Sequence, residues 1–193
     1  MPRAVGAKTR VERAALELFA AKGVAGVSIA DIAAAAGVSQ GALYRHYASK
    51  EALALALFEG AYRRITAGLA GLRANRRGLA ARISAMTAYF CALYDRDPAL
   101  FRYLLLNQHE FLPALGGGVA SPAWVIEATI ADAVAAGDIG PVEPAAGAAI
   151  VMGAVLQTAT FHLYGRLSGP LQPRAAALAA AALAALRALA DLL

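Results

Sequence analysis

Between Ser28 and Lys50 the chain gathers side chains that can offer hydrogen bonds or charge: Ser28, Ser39, Gln40, Tyr44, Arg45, His46 and Lys50. Their spacing says how they could be used. Ser28 followed three residues later by Asp31 reads as a variant capping box that opens a helix. Gly37-Val38-Ser39 stops that helix after about eight residues, with Gly37 permitting the sharp turn and Val38 packing inward. Ser39 then caps a second short helix over residues 40–47. In it Leu43 and Tyr47 share an inward face, and Gln40, Tyr44 and Arg45 point outward. Two short helices joined by a tight glycine turn form a helix-turn-helix, whose second helix can enter the major groove of duplex DNA.

The same inventory offers little for bond-making. His46, His109 and His162 lack metal-ligand spacing, and His109-Glu110 lacks the second histidine of a zinc helix. No nucleophile has a base nearby. No catalytic residue, metal ligand or cofactor is assigned, and an enzyme built on a helical bundle is an unsupported rival.

These groups need a frame. A first helix over residues 8–22 carries Val11, Ala14, Ala15, Leu18 and Phe19 as one apolar stripe, and Gly23 follows as a C-terminal cap of positive φ. Ile29, Ile32, Ala33 and Ala36 give the next helix its inner face. Ser49 opens a fourth helix over residues 50–73, buried along Leu53, Leu57, Tyr62, Ile65 and Leu69. Longer helices follow over residues 79–94, 99–112, 122–137, 144–164 and 174–192. Pro113 and the glycines 116–118 end the second of these, and Ser121-Pro122 opens the third. The fold class is all-α, about nine helices. A three-helix helix-turn-helix domain occupies residues 1–55, with the motif itself at 28–47, and a helical domain occupies residues 56–193. The junction lies in the fourth helix or just after it.

Composition agrees. Hydrophobic residues make up 60% of the chain, with alanine, the best helix former, supplying much of the excess. The net charge is +5, and residues 1–64 carry nine basic against five acidic side chains, whereas the rest is nearly neutral. A basic end on a neutral body suits a polyanion. The single cysteine, Cys91, rules out an internal disulfide and suits a reducing cytoplasm. No apolar run stands behind the charges of the first ten residues, so no signal peptide is expected. Residues 144–165 contain no Asp, Glu, Lys or Arg and are long enough to span a bilayer. Gln157, Thr158, Thr160 and His162 within them favour a helix buried at a protein interface, with no membrane as partner.

The N-terminal residues resemble the TetR-type (tetracycline-repressor-like) transcriptional regulators. The resemblance runs through residues 14–20 and Gly23, Ser28-Ile29-Ala30-Asp31-Ile32-Ala33 and Gly37-Val38-Ser39. It is strongest in Gly41-Ala42-Leu43-Tyr44-Arg45-His46-Tyr47 and Ser49-Lys50-Glu51-Ala52-Leu53, and covers about a quarter of the chain. It implies that Ser28 and Ser39 present hydroxyl and N–H groups to phosphates at helix N-termini, that Tyr44 and His46 contact the DNA backbone, and that Lys50 pairs with a phosphate. Gln40 and Arg45 are then the readers of base edges, Arg45 with phosphate as its alternative. Gly41 and Ala42 allow close approach. Tyr47 stands where the family often has phenylalanine, and its hydroxyl needs a polar partner, a phosphate being one.

The resemblance also implies a ligand pocket in the C-terminal domain and a homodimer formed by the last two helices. Leu178, Leu186, Leu189 and Leu193 fall on one face of the last helix, and Gly147, Ala148, Gly153 and Ala154 let the preceding one approach a neighbour closely. Pocket candidates are Tyr89, Tyr103, Asn107, His109, Trp124, Gln157 and His162, which together suit a small, mainly apolar or aromatic effector. The expectation is a ligand-responsive, cytoplasmic repressor on a palindromic double-stranded operator, with a constitutive DNA-binder as the alternative.

Overall fold

The computed structural model describes residues 6–116 and 121–191, and every regular element among them is helical. The helices are α1 (Ala7–Lys22), α2 (Ile29–Ala36), α3 (Gln40–Tyr44), α4 (Lys50–Asn75), α5 (Leu79–Arg96), α6 (Pro98–Ala114), α7 (Pro122–Ala135), α8 (Pro144–Leu163) and α9 (Ala175–Ala190), with a 3-10 turn at Gln172–Arg174 before α9. The expected end of the last helix at Leu192, the seam residue Leu193 and the loop glycines 117 and 118 lie outside the described residues. The chain divides into two units. One holds residues 1–61 and 98–117, the other residues 62–97 and 118–193.

In the first unit α1 packs against α2 and α6, and α2 against α3. The buried face of α1 is Val11, Ala14, Ala15, Leu16, Phe19 and Ala20. Leu18, expected on that stripe, is only half-buried, and Leu16 takes its place. On α4 the core residue is Phe58 rather than the half-buried Leu57. Helix α6 belongs to this unit, although the sequence put it with the larger domain. Its Tyr103 is fully buried, stacks on Phe19 at 6.1 Å and donates its hydroxyl to the Ala54 carbonyl at 2.6 Å. Phe111 packs on Phe58 with ring centroids 5.4 Å apart. Pro113 lies inside α6 instead of ending it, one residue before the last.

In the second unit α5 packs on α9, α8 lies against α7 and α9, and α5 also touches α7 and α8. Small residues set the spacing. At Gly147 of α8 a Cβ would stand 2.8 Å from the Ile130 side chain and 3.0 Å from that of Leu186. The last turn of α4 is pinned by Asp132 of α7, which accepts from Arg73 Nε and NH2, each at 3.0 Å, and from Arg82 NH1 at 3.1 Å. These bonds, those of Arg73 first, hold the Asp132 carboxyl below its ordinary value. Asp95 accepts from the backbone N–H of Leu171 at 2.7 Å and of Gln172 at 2.8 Å, and so ties the α8–α9 connection to the end of α5. Cys91 is buried in α5, where desolvation first, and then the Asp95 carboxylate, push its thiol up to about 11.

Candidate nucleic-acid interface

Local chemistry builds the reading helix. Ser28 caps α2 in a full capping box with Asp31, and Gly37 ends α2 in the left-handed conformation, φ 64° and ψ 42°. The side chain of Ser39 accepts from the Ala42 N–H at 3.2 Å and starts α3. Helix α3 proper stops at Tyr44, shorter than expected, but its turn continues: the N–H groups of His46 and Tyr47 both donate to the Leu43 carbonyl. Leu43 is wholly buried and is the only buried side chain of α3. Gln40, Gly41, Tyr44, Arg45 and His46 are exposed, and Ala42 is half-buried. The side chains of Gln40, Tyr44, Arg45 and His46 hydrogen-bond to no other described residue. The result is a short rod, anchored underneath, with an amide, a phenol, a guanidinium and an imidazole on its outer side.

Two flanking groups are committed differently from expectation. The Ser28 N–H donates to Asp31 Oδ2 at 2.9 Å and the Ser28 hydroxyl to the same oxygen at 2.7 Å. Both donors expected to face a phosphate are therefore used inside the capping box, and the Asp31 carboxyl is held below its ordinary value mainly by that hydroxyl. The donors left at the α2 N-terminus are the N–H groups of Ile29 and Ala30. Lys50 Nζ donates to the carbonyls of Ala25 at 3.2 Å and Val27 at 2.9 Å, and stands 3.9 Å from the Glu51 carboxylate. An ammonium has three protons, so one remains for an outside acceptor. Gly26, between the two carbonyls, permits this loop. A Cβ there would stand 2.5 Å from the Lys22 carbonyl oxygen. An open cleft of about 630 Å³ is lined by residues 25–31 with Gln40, Tyr44 and Lys50.

The hydroxyl of Tyr47 has a protein partner rather than a phosphate. It donates to Glu12 Oε1 of α1 at 2.7 Å, and burial together with that bond raises its pKa. On the other side of the motif Arg10 Nε donates to the Ala36 carbonyl at 3.2 Å. Sequence reasoning missed Glu12, Arg10 and Gly26. The tyrosine in place of the more usual phenylalanine was the one signal that something polar had to lie opposite.

The effector candidates are divided between the two units. Tyr103, Asn107 and His109 lie on α6 in the first unit, and Tyr89, Trp124, Gln157 and His162 in the second. The hydroxyl of Tyr103 is satisfied by Ala54, and Asn107 Nδ2 donates to its own helix at the Tyr103 carbonyl, 2.7 Å away. His109, Trp124 and Gln157 are exposed, and Tyr89 is half-buried against Gly68. His162 is half-buried, edge-on to Tyr94 at 5.5 Å, and its Nε2 is buried without a hydrogen-bond partner among the described residues, as is the hydroxyl of Thr87, which the sequence did not single out. A cleft of about 360 Å³ in the second unit is lined by residues 77–81, Asp138, Ile139, Leu183 and Arg187, none of them among the seven candidates. Among the described residues no group of three or more His, Cys, Asp or Glu could hold a metal ion.

Residues 13–57 match the family model described as bacterial regulatory proteins, tetR family. This N-terminal segment is similar to the TetR family. This TetR-type domain is 45% identical over 64 residues to the HTH-type transcriptional regulator CymR of Pseudomonas putida, covering 33% of this chain and 32% of that protein. It is 46% identical over 52 residues to the uncharacterized HTH-type transcriptional regulator YerO of Bacillus subtilis, covering 27% and 18%. The matched segment thus spans 32% and 18% of the lengths of these curated relatives. Beyond the TetR-type domain the likeness is one of fold. The transcriptional regulator FadR of Bacillus subtilis, solved with stearoyl-CoA, aligns with a TM-score of 0.77 over 91% of this chain and 97% of that one, at 16% identity.

Proposed function

We propose that the protein is a ligand-responsive transcriptional regulator that binds a palindromic operator as a homodimer and represses transcription. The carrying observation is the outward row of α3: Gln40, Tyr44, Arg45 and His46 are solvent-facing, without a side-chain hydrogen bond to another described residue, and mounted on a helix anchored from beneath by Leu43. Gln40 suits adenine and Arg45 guanine. Gly41 and Ala42 allow the rod to approach the groove. Tyr44, His46, the Ser39 hydroxyl and the free proton of Lys50 address the phosphates, with the Ile29 and Ala30 amides at the α2 N-terminus.

The outer faces of α8 and α9 support the dimer. On α9 the exposed positions are alanine (Ala176, Ala177, Ala180, Ala181, Ala184, Ala185 and Ala188) apart from Arg187, and on α8 they include Ala145, Ala149, Gly153 and Phe161. Residues Pro144–Leu163 and Gln172–Ala190 are also long and apolar enough to cross a membrane. Small residues on adjacent outward faces fit a close helix–helix seam better, because such a face in water would aggregate. A palindromic operator read by two copies needs their reading helices about 34–36 Å apart, one turn of DNA. The FadR fold likeness, with its stearoyl-CoA, favours an effector with a long apolar chain. Such a ligand would tilt α4 and change the spacing of the reading helices, coupling through unequal affinity for the two spacings. The reading places the protein in the cytoplasm.

The test is a gel shift on the DNA upstream of the protein's own gene, at fixed salt, with and without stearoyl-CoA. A sequence-specific shift released by the thioester is expected. Absence of any sequence-specific shift overturns the DNA-binding reading, and a specific shift that no apolar ligand releases favours the constitutive alternative.

A further inference from the structure

The rod that faces outward is underdetermined by its own packing. Helix α3 has five residues and a single buried side chain, Leu43. One buried anchor fixes where such a rod sits but leaves its direction free to pivot. Direction matters because a recognition group must be held within roughly 0.5 Å of its productive position. Some second, fixed point has to supply it.

The second point is Glu12. We infer that Glu12, through its hydrogen bond from the Tyr47 hydroxyl, is the positioning residue that sets the angle of the reading helix and hence its discrimination between DNA sequences. The bond joins residues 35 apart in the chain at 2.7 Å. One end is mounted on α1, which is held rigidly by Val11, Ala15 and Phe19, all nearly or wholly buried. The other end is the last ordered turn of the rod, where the Tyr47 N–H still donates to the Leu43 carbonyl. Tyr47 thus stands four residues beyond the Leu43 pivot, a lever of about 6 Å on a helical rise. Loss of the bond frees the tip of that lever while Leu43 and the Tyr47 ring keep their packing. Glu12 also stands 3.9 Å from Lys8 Nζ, at a partly exposed site, so its carboxylate is not left uncompensated. Glu12 touches no base in this scheme. It acts through Tyr47.

The inference rests on the DNA-binding reading, and the experiment separates the two. The full-length protein selects duplexes from a randomised pool, and the selected and randomised duplexes then serve as probes. Tyr47→Phe, which keeps the ring, and Glu12→Ala are each expected to lower the ratio of selected to randomised affinity about tenfold, the scale of one base contact. For Tyr47→Phe, which leaves the charge unchanged, affinity for the randomised duplex and its salt dependence should not move. Glu12→Gln, whose amide oxygen still accepts, should restore the ratio, and the double variant should be no worse than either single one. Unchanged ratios, additive losses in the double variant, or a parallel fall in both affinities, as a merely structural role would give, overturn the inference. If the unmodified protein selects no sequence at all, the DNA-binding reading itself falls.

Discussion

The phenol of Tyr89 occupies the space that a side chain at Gly68 would need: a Cβ there would stand 2.7 Å from the hydroxyl oxygen and 2.8 Å from Cζ. Helices α4 and α5 approach each other through this pairing of the smallest side chain with one of the largest. Alanine in a helix interior is worth roughly 1 kcal/mol over glycine, whereas forced overpacking costs about 1–3 kcal/mol. Gly68→Ala is therefore expected to destabilise the protein by about 1 kcal/mol. In a Tyr89→Ala background the same substitution should reverse sign and stabilise by about 1 kcal/mol. Urea unfolding of the four proteins checks this, and the same sign in both backgrounds would refute the pairing.

Gly153 is the opposite case. A Cβ there meets no other element within 4 Å among the described residues. Gly153→Trp should leave the helical circular dichroism intact and convert the proposed dimer to monomer in sedimentation equilibrium. A variant that remains dimeric would move the seam away from this face of α8.

Lys50 holds the loop before α2 and keeps one proton for an outside acceptor. Lys50→Ala is expected to weaken binding to all sequences alike and to lower the salt slope by about one. It should also lower the melting temperature by a few degrees, because the carbonyls of Ala25 and Val27 lose a charged donor worth about 1 kcal/mol at this partly exposed site. A lowered melting temperature with an unchanged salt slope would make Lys50 a loop clamp only.

The Asp132 cluster makes stability depend on acid. Its carboxyl is held below the ordinary value, first by the Arg73 hydrogen bonds and then by the Arg73 and Arg82 charges. A depressed carboxylate stabilises the fold above its unfolded pKa of about 3.9, and that contribution is lost as the pH falls through the folded value. Asp132→Asn should thus melt lower than the parent at neutral pH, with the gap closing progressively below about pH 4. A gap that stays constant into acid would show that the charge is irrelevant.

What could be read in advance was the chemistry that chains settle locally. The serine caps at Ser28 and Ser39, the stop at Gly37 and the inward Leu43 each depend on residues within about one turn, and they give the motif and its exposed row. The fold class follows from such signals repeated along the chain. The partners of Lys50 and Tyr47 lie 23 to 35 residues away, where no periodicity points. Helix α6 is the larger case. Its apolar stripe says that it is buried but carries no address, which comes from tertiary contacts: packing on α1 with Tyr103 stacked on Phe19, the Tyr103 bond to Ala54 and the Phe111 contact with Phe58. The effector candidates were chosen as polar groups on apolar helices, a criterion that Tyr103 and Asn107 meet while being satisfied by carbonyls of α4 and of α6 itself.

Cys91, the chain's one cysteine, is wholly buried in α5, and that burial pushes its thiol up to about 11. Alkylating reagents attack the thiolate, so the native chain is in effect blank to maleimide chemistry. A cysteine introduced on the outward side of α3 would be the one position to take up a fluorophore, and the unaltered protein serves as its dark control without a compensating substitution in the core.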